Sequence, residues 1–360
     1  MARSGKKPPR AGPGSARREV TRTSRGRTRP GTGSRFDVQL TVKAAQMYYL
    51  DGLKQEEVAA KIGISRSLIS MILTEARERG IVEVTVRDPS LNDEKLSSEF
   101  ASQYAGTDFT VIPTSSRDAA ARRKLVAQRA ADILARLLRK AEVVGLAWGR
   151  TCLELVQAFR PATELRDLII VPLIGGSSQI APYFQINEMV RLLAQRSGGK
   201  PYFIHAPALV TGREERDLHL GSSSLRFIRE KWSVMDVVVS GIGAVVGEHP
   251  DRESYMGEAE LFRDLTARRA AGDICTRYYD QEGRFIINEH YHRVVGVPVE
   301  GLKAAGTVLC MASGLEKAGA IEGALRTGVV KQLVMDEPTA QAAMDLISAR
   351  EGRADGSRTS

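Results

Sequence analysis

Glycines recur where apolar segments of the sequence end, and several stand just before a cationic or hydroxyl side chain. Gly149 precedes Arg150 and Thr151, and Gly314 lies three residues before Lys317. A glycine at such a point lets the backbone come close to a ligand, and the N–H groups that open the next helix can hold an anion. A cation in the first turn of a helix has the unfavourable sign for the helix dipole, so Arg150 and Lys317 favour an anionic ligand. For Lys317 the alternative is a solvated surface lysine.

Polar side chains suited to a sugar lie in the same part of the chain. Asp273 in "AAGDI" can accept hydrogen bonds from sugar hydroxyls, and the alternative is an aspartate that forms a turn before a strand. Gln185 and Asn187 in "FQINEM" can contact a sugar or cap a helix. A dinucleotide is not favoured, because "GIGAVVG" has Val246 where GxGxxG requires its third glycine. A smaller molecule that carries a phosphate is still compatible with these glycines.

Residues for catalysis or metal binding do not assemble in this way. His290 and His292 would share a strand face two residues apart, but no third ligand is evident, so we expect no metal. The three cysteines are far apart and lack CxxC spacing, which argues against a zinc finger and a disulfide framework. No GxSxG sequence occurs, and no cysteine stands beside a histidine. We therefore expect binding without a cofactor rather than catalysis.

The elements that must position these residues alternate over residues 108–349. Apolar runs of strand length, such as "EVVGLAWG", "LIIVPLIGG" and "VMDVVVSGIG", are separated by amphipathic helical stretches. Near-continuous Val, Ile and Leu in the strands predicts an α/β fold, with a mostly parallel sheet covered by helices on both faces. Ligands of such sheets bind beyond the carboxyl ends of the strands, which is where these glycines lie.

Three short helices are predicted ahead of this region, because apolar residues recur there at helical spacing. The first begins near Ser34, which with Asp37 resembles a capping box, and Gly52 ends it. The second covers residues 55–61. The third begins at Ser65 and turns one apolar face towards the other two: Ile69, Ile72, Leu73 and Ala76.

Gly63 supplies a tight turn between the second and third helices, which gives them the sequence form of a helix-turn-helix. In that motif the second helix enters the major groove of DNA, and its first residues reach the base edges. The run "IVEVTV" at residues 81–86 alternates like a half-buried strand and predicts a small wing beside the third helix. Residues 36–88 thus predict an all-α winged helix-turn-helix.

Five polar residues of this motif are candidates for DNA contacts: Lys54, Ser65, Arg66, Ser67 and Ser70. Ser65 is well explained as the N-cap of the third helix without any DNA contact. Arg66 can pair with guanine or phosphate, or can be a solvated charge, and Ser67 and Ser70 can contact phosphate or bases. Lys54 stands where a Ser or Thr cap is usual, a loss of about 1 kcal/mol that a phosphate contact would justify.

Charge and composition bound the remaining possibilities. The length of 360 residues with 42% hydrophobic residues suits about two domains. No apolar run approaches the roughly 18 to 20 residues of a membrane span, so we expect a cytoplasmic protein without membrane contact.

Residues 1–35 contain eleven Lys or Arg and one acid, so they carry +10, and the rest of the chain carries −1. This Gly-, Pro- and Arg-rich segment predicts a disordered tail that attracts nucleic acid or keeps the protein in solution.

The string "KQEEVAAKIGISRSLISMILTEARERGIVEVTV" resembles the DNA-binding end of the SorC family of bacterial sugar-responsive transcriptional regulators. The strings "GLAWGRT", "NEMVRLLA", "VVVSGIG", "AAGDI", "YYDQEG" and "ASGLEKAGAIEGALRTGVVKQLVMDEPTA" resemble the sugar-binding domain of that family. The resemblance covers nearly everything over residues 39–346. It implies an effector domain with the fold of glucosamine-6-phosphate deaminases and ribose-5-phosphate isomerases, which binds a phosphorylated sugar without turning it over.

The resemblance also implies which residues contact the effector. Gly149, Arg150 and Thr151 form a loop that holds a phosphate in that family. Gln185 and Asp273 correspond to residues that contact the sugar, and Lys317 corresponds to a phosphate-binding lysine.

The sequence therefore predicts four regions. Residues 1–35 are a disordered basic tail, and residues 36–88 form a helix-turn-helix domain. Residues 89–350 form an effector and oligomerisation domain, and residues 351–360 are a second disordered tail. We expect a regulator that binds double-stranded operator DNA as a dimer or tetramer, under the control of a phosphorylated sugar. One alternative is a sugar-phosphate isomerase or deaminase with an appended DNA-binding module, in which Asp273 is the acid or base. The other is an α/β binding module whose front helices contact only protein.

Overall fold

A computed structural model describes four stretches of the chain: residues 36–82, 92–177, 181–245 and 259–356. They form two compact units, the first made by residues 36–82 and the second by the other three stretches. The predicted tail over residues 1–35 lies outside the described residues. Of the predicted wing, only Ile81 and Val82 are described, and both pack against the core of the first unit.

The first unit is built from three helices: α1 (Val38–Ala45), which continues as a π-helical turn (Gln46–Leu50), α2 (Gln55–Ile62) and α3 (Arg66–Glu78). The predicted face of the third helix is confirmed, because Ile69, Ile72, Leu73 and Ala76 are all buried. They share a core with residues of the other two helices, Ala44, Ala45, Val58 and Ala59. Gly63 ends α2 with a φ of +83°, a conformation that glycine adopts at no steric cost.

The starts of these helices differ in part from the prediction. Asp37 is itself the N-cap of α1, where its Oδ1 accepts a hydrogen bond from the backbone N–H of Leu40 at 3.0 Å. The predicted capping box, which placed Asp37 inside the helix, is therefore wrong, and Ser34 lies outside the described residues. Ser65 is the N-cap of α3, as predicted, and its Oγ accepts from the N–H of Leu68 at 3.3 Å.

Lys54 precedes α2 without a capping side chain of its own. The carboxylate of Glu57 partly replaces that cap, because its Oε2 accepts a hydrogen bond from the backbone N–H of Lys54 at 2.7 Å. The N-terminus of α2 thus gains half of a capping box from a residue that the sequence analysis overlooked.

The second unit contains nine strands: β1 (Asp108–Ile112), β2 (Val143–Leu146), β3 (Ile169–Pro172), β4 (Lys200–Pro201), β5 (Val237–Ala244), β6 (Ala270–Ile274), β7 (Arg277–Asp280), β8 (Thr307–Ala312) and β9 (Gln332–Asp336). Seven of them form a sheet in the order β1-β9-β8-β5-β2-β3-β4, and every neighbouring pair in that order is parallel. The other two form an antiparallel hairpin, β6–β7, that extends from the end of β5.

The helices of this unit cover both faces of the sheet: α4 (Glu94–Gln103), α5 (Ala119–Leu137), α6 (Arg150–Ala158), α7 (Ile186–Ser197), α8 (Arg213–Gly221), α9 (Ser223–Trp232), α10 (Ala259–Ala267), α11 (Glu289–Arg293), α12 (Val299–Ala304), α13 (Ala318–Arg326) and α14 (Glu337–Gly356). Val238 packs in one large apolar cluster, and its neighbours Val237 and Val239 pack in another. Alternate strand residues point to opposite faces, so the two clusters lie on opposite sides of the sheet. The predicted parallel sheet with helices on both faces is confirmed.

Three local expectations for this unit are wrong. The segment "AAGDI", which was expected to precede a strand, forms strand β6 itself. His290 and His292 lie in helix α11, capped by Asn288, and do not share a strand face. Helix α14 continues to Gly356, which places residues 351–356 in a helix instead of the predicted disordered tail.

None of the described helices combines the length and the apolar character that crossing a membrane requires.

Candidate functional site

The order of the strands brings the predicted ligand-binding residues of the second unit to one edge of the sheet. The chain leaves β2 towards β3 on one side, whereas the chain beyond β5 reaches β8 on the other side. The neighbouring strands β2 and β5 therefore mark the switch point of the sheet, outside whose carboxyl ends ligands bind in α/β folds. Gly149 follows β2 and Lys317 follows β8, while Asp273 pairs with the end of β5.

The loop after β2 presents the N-terminus of α6. Gly149 is its N-cap with a φ of +122°, and the space where its Cβ would stand is open to 4 Å. The N–H of Gly149 is bonded to the carbonyl of Tyr183 at 2.8 Å, and the guanidinium of Arg150 lies 5.2 Å from the centre of the Tyr183 ring. Thr151 is buried in the first turn. The opening N–H groups of α6, which have no partner within the helix, point out of this end.

Asp273 is held against β5 on one side and in a hairpin turn on the other. It pairs with Gly243, where any Cβ would overlap its Oδ1, so the carboxylate lies directly over this glycine. Its Oδ2 accepts a hydrogen bond from the N–H of Thr276 at 2.9 Å. Cys275 and Thr276 form the turn with φ values of +53° and +59°, which costs non-glycine residues on the order of 1 kcal/mol each. The carboxylate thus has a fixed position beside the end of β5.

Lys317 lies in a short 3₁₀ turn (Leu315–Lys317) directly before α13, close to the predicted first turn of a helix. Its Nζ donates a hydrogen bond to the carbonyl of Ile242 in β5 at 2.7 Å. Within the part of the chain that the structure describes, no carboxylate lies at ion-pair distance from this ammonium. Burial lowers the pKa of Lys317, and the nearby charges of Glu316 and Asp273 oppose that change. Lys317 is half-buried, and an ammonium that is partly withdrawn from water without an ion-pair partner is a strong candidate for binding an anion.

A network that the sequence analysis missed supports the loop before Lys317. Asp336, fully buried at the end of β9, accepts hydrogen bonds from the hydroxyl of Thr339 at 2.9 Å and lies 3.4 Å from Nε of Arg122. The Thr339 hydroxyl in turn accepts from the N–H of Gly314 at 2.8 Å. The spacing of Asp336 and Thr339 is typical of a helix N-terminus, and this was the available signal.

Gln185 and Asn187 have different surroundings. Gln185 precedes α7 and is half-buried in a segment that packs beside the loop after β2, since Phe184 contacts Trp148 edge to face at 5.6 Å. Asn187 holds the backbone of Ile204, donating to its carbonyl at 3.0 Å and accepting from its N–H at 3.1 Å. The side chain of Asn187 therefore fixes the chain beyond β4 and does not cap α7, whereas its contact with a sugar stays a prediction.

The three cysteines, far apart in sequence, come together beneath this edge. Sγ of Cys275 lies 3.4 Å from the hydroxyl of Ser240, and the three thiols lie near enough to one another that each ionised thiol would disfavour ionisation of its neighbours. Burial raises the pKa of Cys152 and of Cys275 to about 12, and it also raises the pKa of Cys310 well above its ordinary value. Among the described residues no group of three or more His, Cys, Asp or Glu side chains could hold a metal ion.

The DNA-contact candidates of the first unit gather at the N-termini of α2 and α3. Arg66 lies 3.5 Å from Glu56, and both side chains are about two thirds or more exposed, at 68% and 72%. The hydroxyls of Ser65 and Ser67 are 3.0 Å apart. Lys54, Ser67 and Ser70 are all exposed, so the core of this unit takes up none of these side chains.

Comparison with known proteins gives four findings. The family model described as "Putative sugar-binding domain" matches residues 88–345. The chain is 28% identical over 307 residues to the sorbitol operon regulator of Klebsiella pneumoniae, covering 85% of this chain and 97% of that protein. It is 26% identical over 305 residues to the deoxyribonucleoside regulator of Bacillus subtilis, covering 84% and 96%. The crystal structure of the full-length Klebsiella regulator SorC superposes with a TM-score of 0.67 at 27% identity, over 86% of this chain and 100% of that one.

The chain combines a parallel α/β domain with a small helical unit that precedes it in the sequence, and its named relatives are transcriptional regulators, which places it in that class and not among enzymes. The chain belongs to the SorC family of sugar-responsive transcriptional regulators, as the sequence motifs predicted. The similarity to deaminases and isomerases stays a prediction.

Proposed function

We propose that this protein is a DNA-binding regulator of carbohydrate metabolism whose affinity for operator DNA is controlled by a phosphorylated sugar. The observation that carries the proposal is the convergence of the Gly149 loop, Asp273 and Lys317 at the ends of three adjacent strands. These groups combine amide N–H donors, a cation and a hydrogen-bond acceptor, which together match a sugar with one phosphate.

Each group has a distinct part in this proposal. The phosphate lies on the N-terminus of α6, between Gly149, Arg150 and Thr151, with Lys317 supplying the opposite charge. A bound dianion offsets the burial of Lys317, which lacks a carboxylate at ion-pair distance in the described residues. Asp273 accepts hydrogen bonds from sugar hydroxyls, and Gln185 contacts the sugar from the neighbouring segment.

The first unit supplies the DNA contacts in this proposal. Helices α2 and α3 form a helix-turn-helix whose second helix enters the major groove. Lys54 and Ser65 contact the sugar-phosphate backbone of the DNA. Arg66, Ser67 and Ser70 contact either phosphates or the edges of the bases. Two such units in a dimer, or more in a tetramer, address half-sites about 34 Å apart or a multiple of that spacing. A sugar phosphate that binds one arrangement better shifts the population, and with it the affinity for operator.

Fluorescence anisotropy with labelled duplexes from around the gene tests the proposal directly. The purified chain is titrated onto each duplex alone and with a panel of hexose and pentose phosphates. We expect salt-dependent binding whose affinity changes with one member of the panel. Indifference to every sugar phosphate, or to every duplex, would contradict the proposal. Conversion of a sugar phosphate to product in the same samples would favour the isomerase or deaminase alternative.

Arg66→Ala is expected to weaken binding to the operator by roughly 5- to 150-fold, the range of about 1–3 kcal/mol for a good base contact. Effector-induced thermal stabilisation should not change, because Arg66 belongs to the first unit and is 68% exposed. Arg77→Ala is a matched control, since Arg77 is an exposed arginine in the last turn of the same helix. Equal weakening by both variants would contradict a specific role for Arg66.

Gly243→Ala is expected to weaken effector binding by about tenfold or more, because the new methyl group occupies the place of Oδ1 of Asp273. Gly241→Ala is a matched control on the same strand, where the nearest atom to a new Cβ is the carbonyl oxygen of Met311 at 3.9 Å. Isothermal titration calorimetry with the active sugar phosphate measures the effector affinity of both variants. If the two variants bind it equally well, Asp273 does not contact the effector.

A further inference from the structure

A cavity lies in the α/β unit away from the residues described above. Its volume is about 670 Å³, and parts of α8, α9, α11 and α12 surround it. That volume is within the usual range for small-molecule sites, about 300–1,000 Å³. Four arginines line it: Arg216, Arg226, Arg229 and Arg277. None of its lining residues belongs to the candidate sugar-phosphate site.

Arg277 is the most unusual of the four. It is 3% exposed, and its guanidinium donates hydrogen bonds to three backbone carbonyls, those of Val297 at 2.8 Å, Gly296 at 3.1 Å and Tyr291 at 3.1 Å. A guanidinium has five N–H donors, so two remain beyond these bonds. Among the described residues no carboxylate lies at ion-pair distance from it, and burial lowers its pKa to about 10. The three carbonyls and the Tyr291 ring, whose centre lies 4.4 Å from the guanidinium carbon, stabilise this charge in part, and an anion would compensate it further.

The other charges at the cavity leave a cationic surplus. Arg216 pairs with Asp217 at 2.6 Å, whereas Arg229 donates to the carbonyl of Leu220 at 2.8 Å. In the described part of the chain, neither Arg226 nor Arg229 lies at ion-pair distance from a carboxylate. The lining contains three acids, Asp217, Glu230 and Glu300, against four guanidinium groups.

We propose that this cavity is a second anion site, separate from the sugar-phosphate site, that binds a small polyanion through phosphate or carboxylate oxygens. The planar fork of each arginine matches such oxygens two at a time, and a guanidinium stays charged at all physiological pH values. Arg277 lies at the buried side of the site, and the exposed side chains of Arg226 and Arg229 close over the ligand from α9.

Trp232 offers a local readout, because it lines this cavity while the other tryptophan of the chain, Trp148, follows β2 at the candidate sugar-phosphate site. In the Trp148→Phe background, fluorescence reports on Trp232 alone. Inorganic pyrophosphate and citrate, titrated separately onto the full chain, are the probes for phosphate and carboxylate oxygens. We expect a saturable change in fluorescence with at least one of them.

The double variant Arg226→Ala/Arg229→Ala, in that background, should weaken the probe by at least about tenfold, since two charge-assisted contacts are lost. Both side chains are exposed, so the variant should fold, and its melting temperature checks this. Arg213→Ala removes an exposed arginine of α8 that does not line the cavity, and it should bind the probe normally. Lys317→Met should also leave this binding intact, which separates the cavity from the sugar-phosphate site.

Equal probe affinity in the parent and the double variant, or no fluorescence change with either probe, would overturn the second site. Neither result bears on the proposed control by a sugar phosphate, which the Lys317 variant tests by itself.

Discussion

Lys317→Met should abolish the response to the sugar phosphate, with effector affinity falling by roughly 10- to 150-fold, the equivalent of a charge-assisted hydrogen bond of about 1.5–3 kcal/mol. Methionine keeps most of the apolar stem of the lysine and removes only the ammonium that faces the ligand in our proposal. DNA binding without effector should be unchanged. Thermal shift measures the effect, because a ligand at 100 times its Kd stabilises the parent by about 2.7 kcal/mol and the variant far less.

The same substitution should leave the melting temperature of the unliganded protein unchanged or raise it at neutral pH. Burial lowers the pKa of Lys317 in the folded protein, so the folded state holds this proton less tightly than the unfolded state does. The charged lysine therefore destabilises the fold at any pH below its lowered pKa. That penalty decreases as the pH rises from the lowered pKa towards the ordinary value of 10.5. The stability of the Lys317→Met variant relative to the parent should decrease across that interval.

Lys200→Met is the control for this prediction, because the Lys200 side chain is 60% exposed and its ion pair with Asp167 lies at the surface. It should keep the full effector response. A Lys317→Met protein that still responds normally to the effector would refute the phosphate-binding role of this lysine.

Asp336→Ala should lower the free energy of unfolding by about 3–5 kcal/mol, the usual cost of removing one partner from a buried ion pair. The loss leaves Arg122 without its carboxylate and frees the hydroxyl of Thr339, which holds the N–H of Gly314. Effector binding should weaken as well, since Gly314 begins the loop that carries Lys317. Thermal and urea denaturation measure the first effect, and titration with the sugar phosphate measures the second.

Two comparisons make the Asp336 result decisive. Asp167→Ala removes a fully exposed aspartate from its pair with Lys200 and should not change the melting temperature measurably. Thr339→Val keeps the buried ion pair and removes only the hydroxyl, so it should cost less, about 1–3 kcal/mol. An Asp336→Ala protein that melts with the parent would show that the network does not support this edge of the sheet.

The alternation of strands and helices was predictable from the sequence, because buried parallel strands require long apolar runs and amphipathic helices to cover them. Strand β6 was not. Gly272 and Asp273 are poor strand formers, and this strand depends on its pairing with β5, which sequence periodicity does not reveal. Helix α11 could not be predicted, because five residues are too few to show a helical period, although Asn288 caps it by accepting a hydrogen bond from the N–H of Tyr291.

The position of the candidate site was predictable for a related reason. Glycines and charged residues at strand ends meet because parallel strands place their carboxyl ends at one edge. The contacts that hold the two proposed sites in place could not be predicted from the positions of residues at strand ends. Arg122 meets Asp336, and Arg277 meets the carbonyls of Gly296 and Val297, only after the chain has folded.

The burial of all three thiols has a practical consequence for following this regulator on DNA. Cys152, Cys275 and Cys310 are at most 5% exposed and are the only cysteines of the chain, so they should resist maleimide dyes under native conditions. A single cysteine placed at exposed Glu78, in the last turn of α3, can then carry one fluorophore. Single-molecule tracking of that dye would report residence times on duplexes without removing any native cysteine.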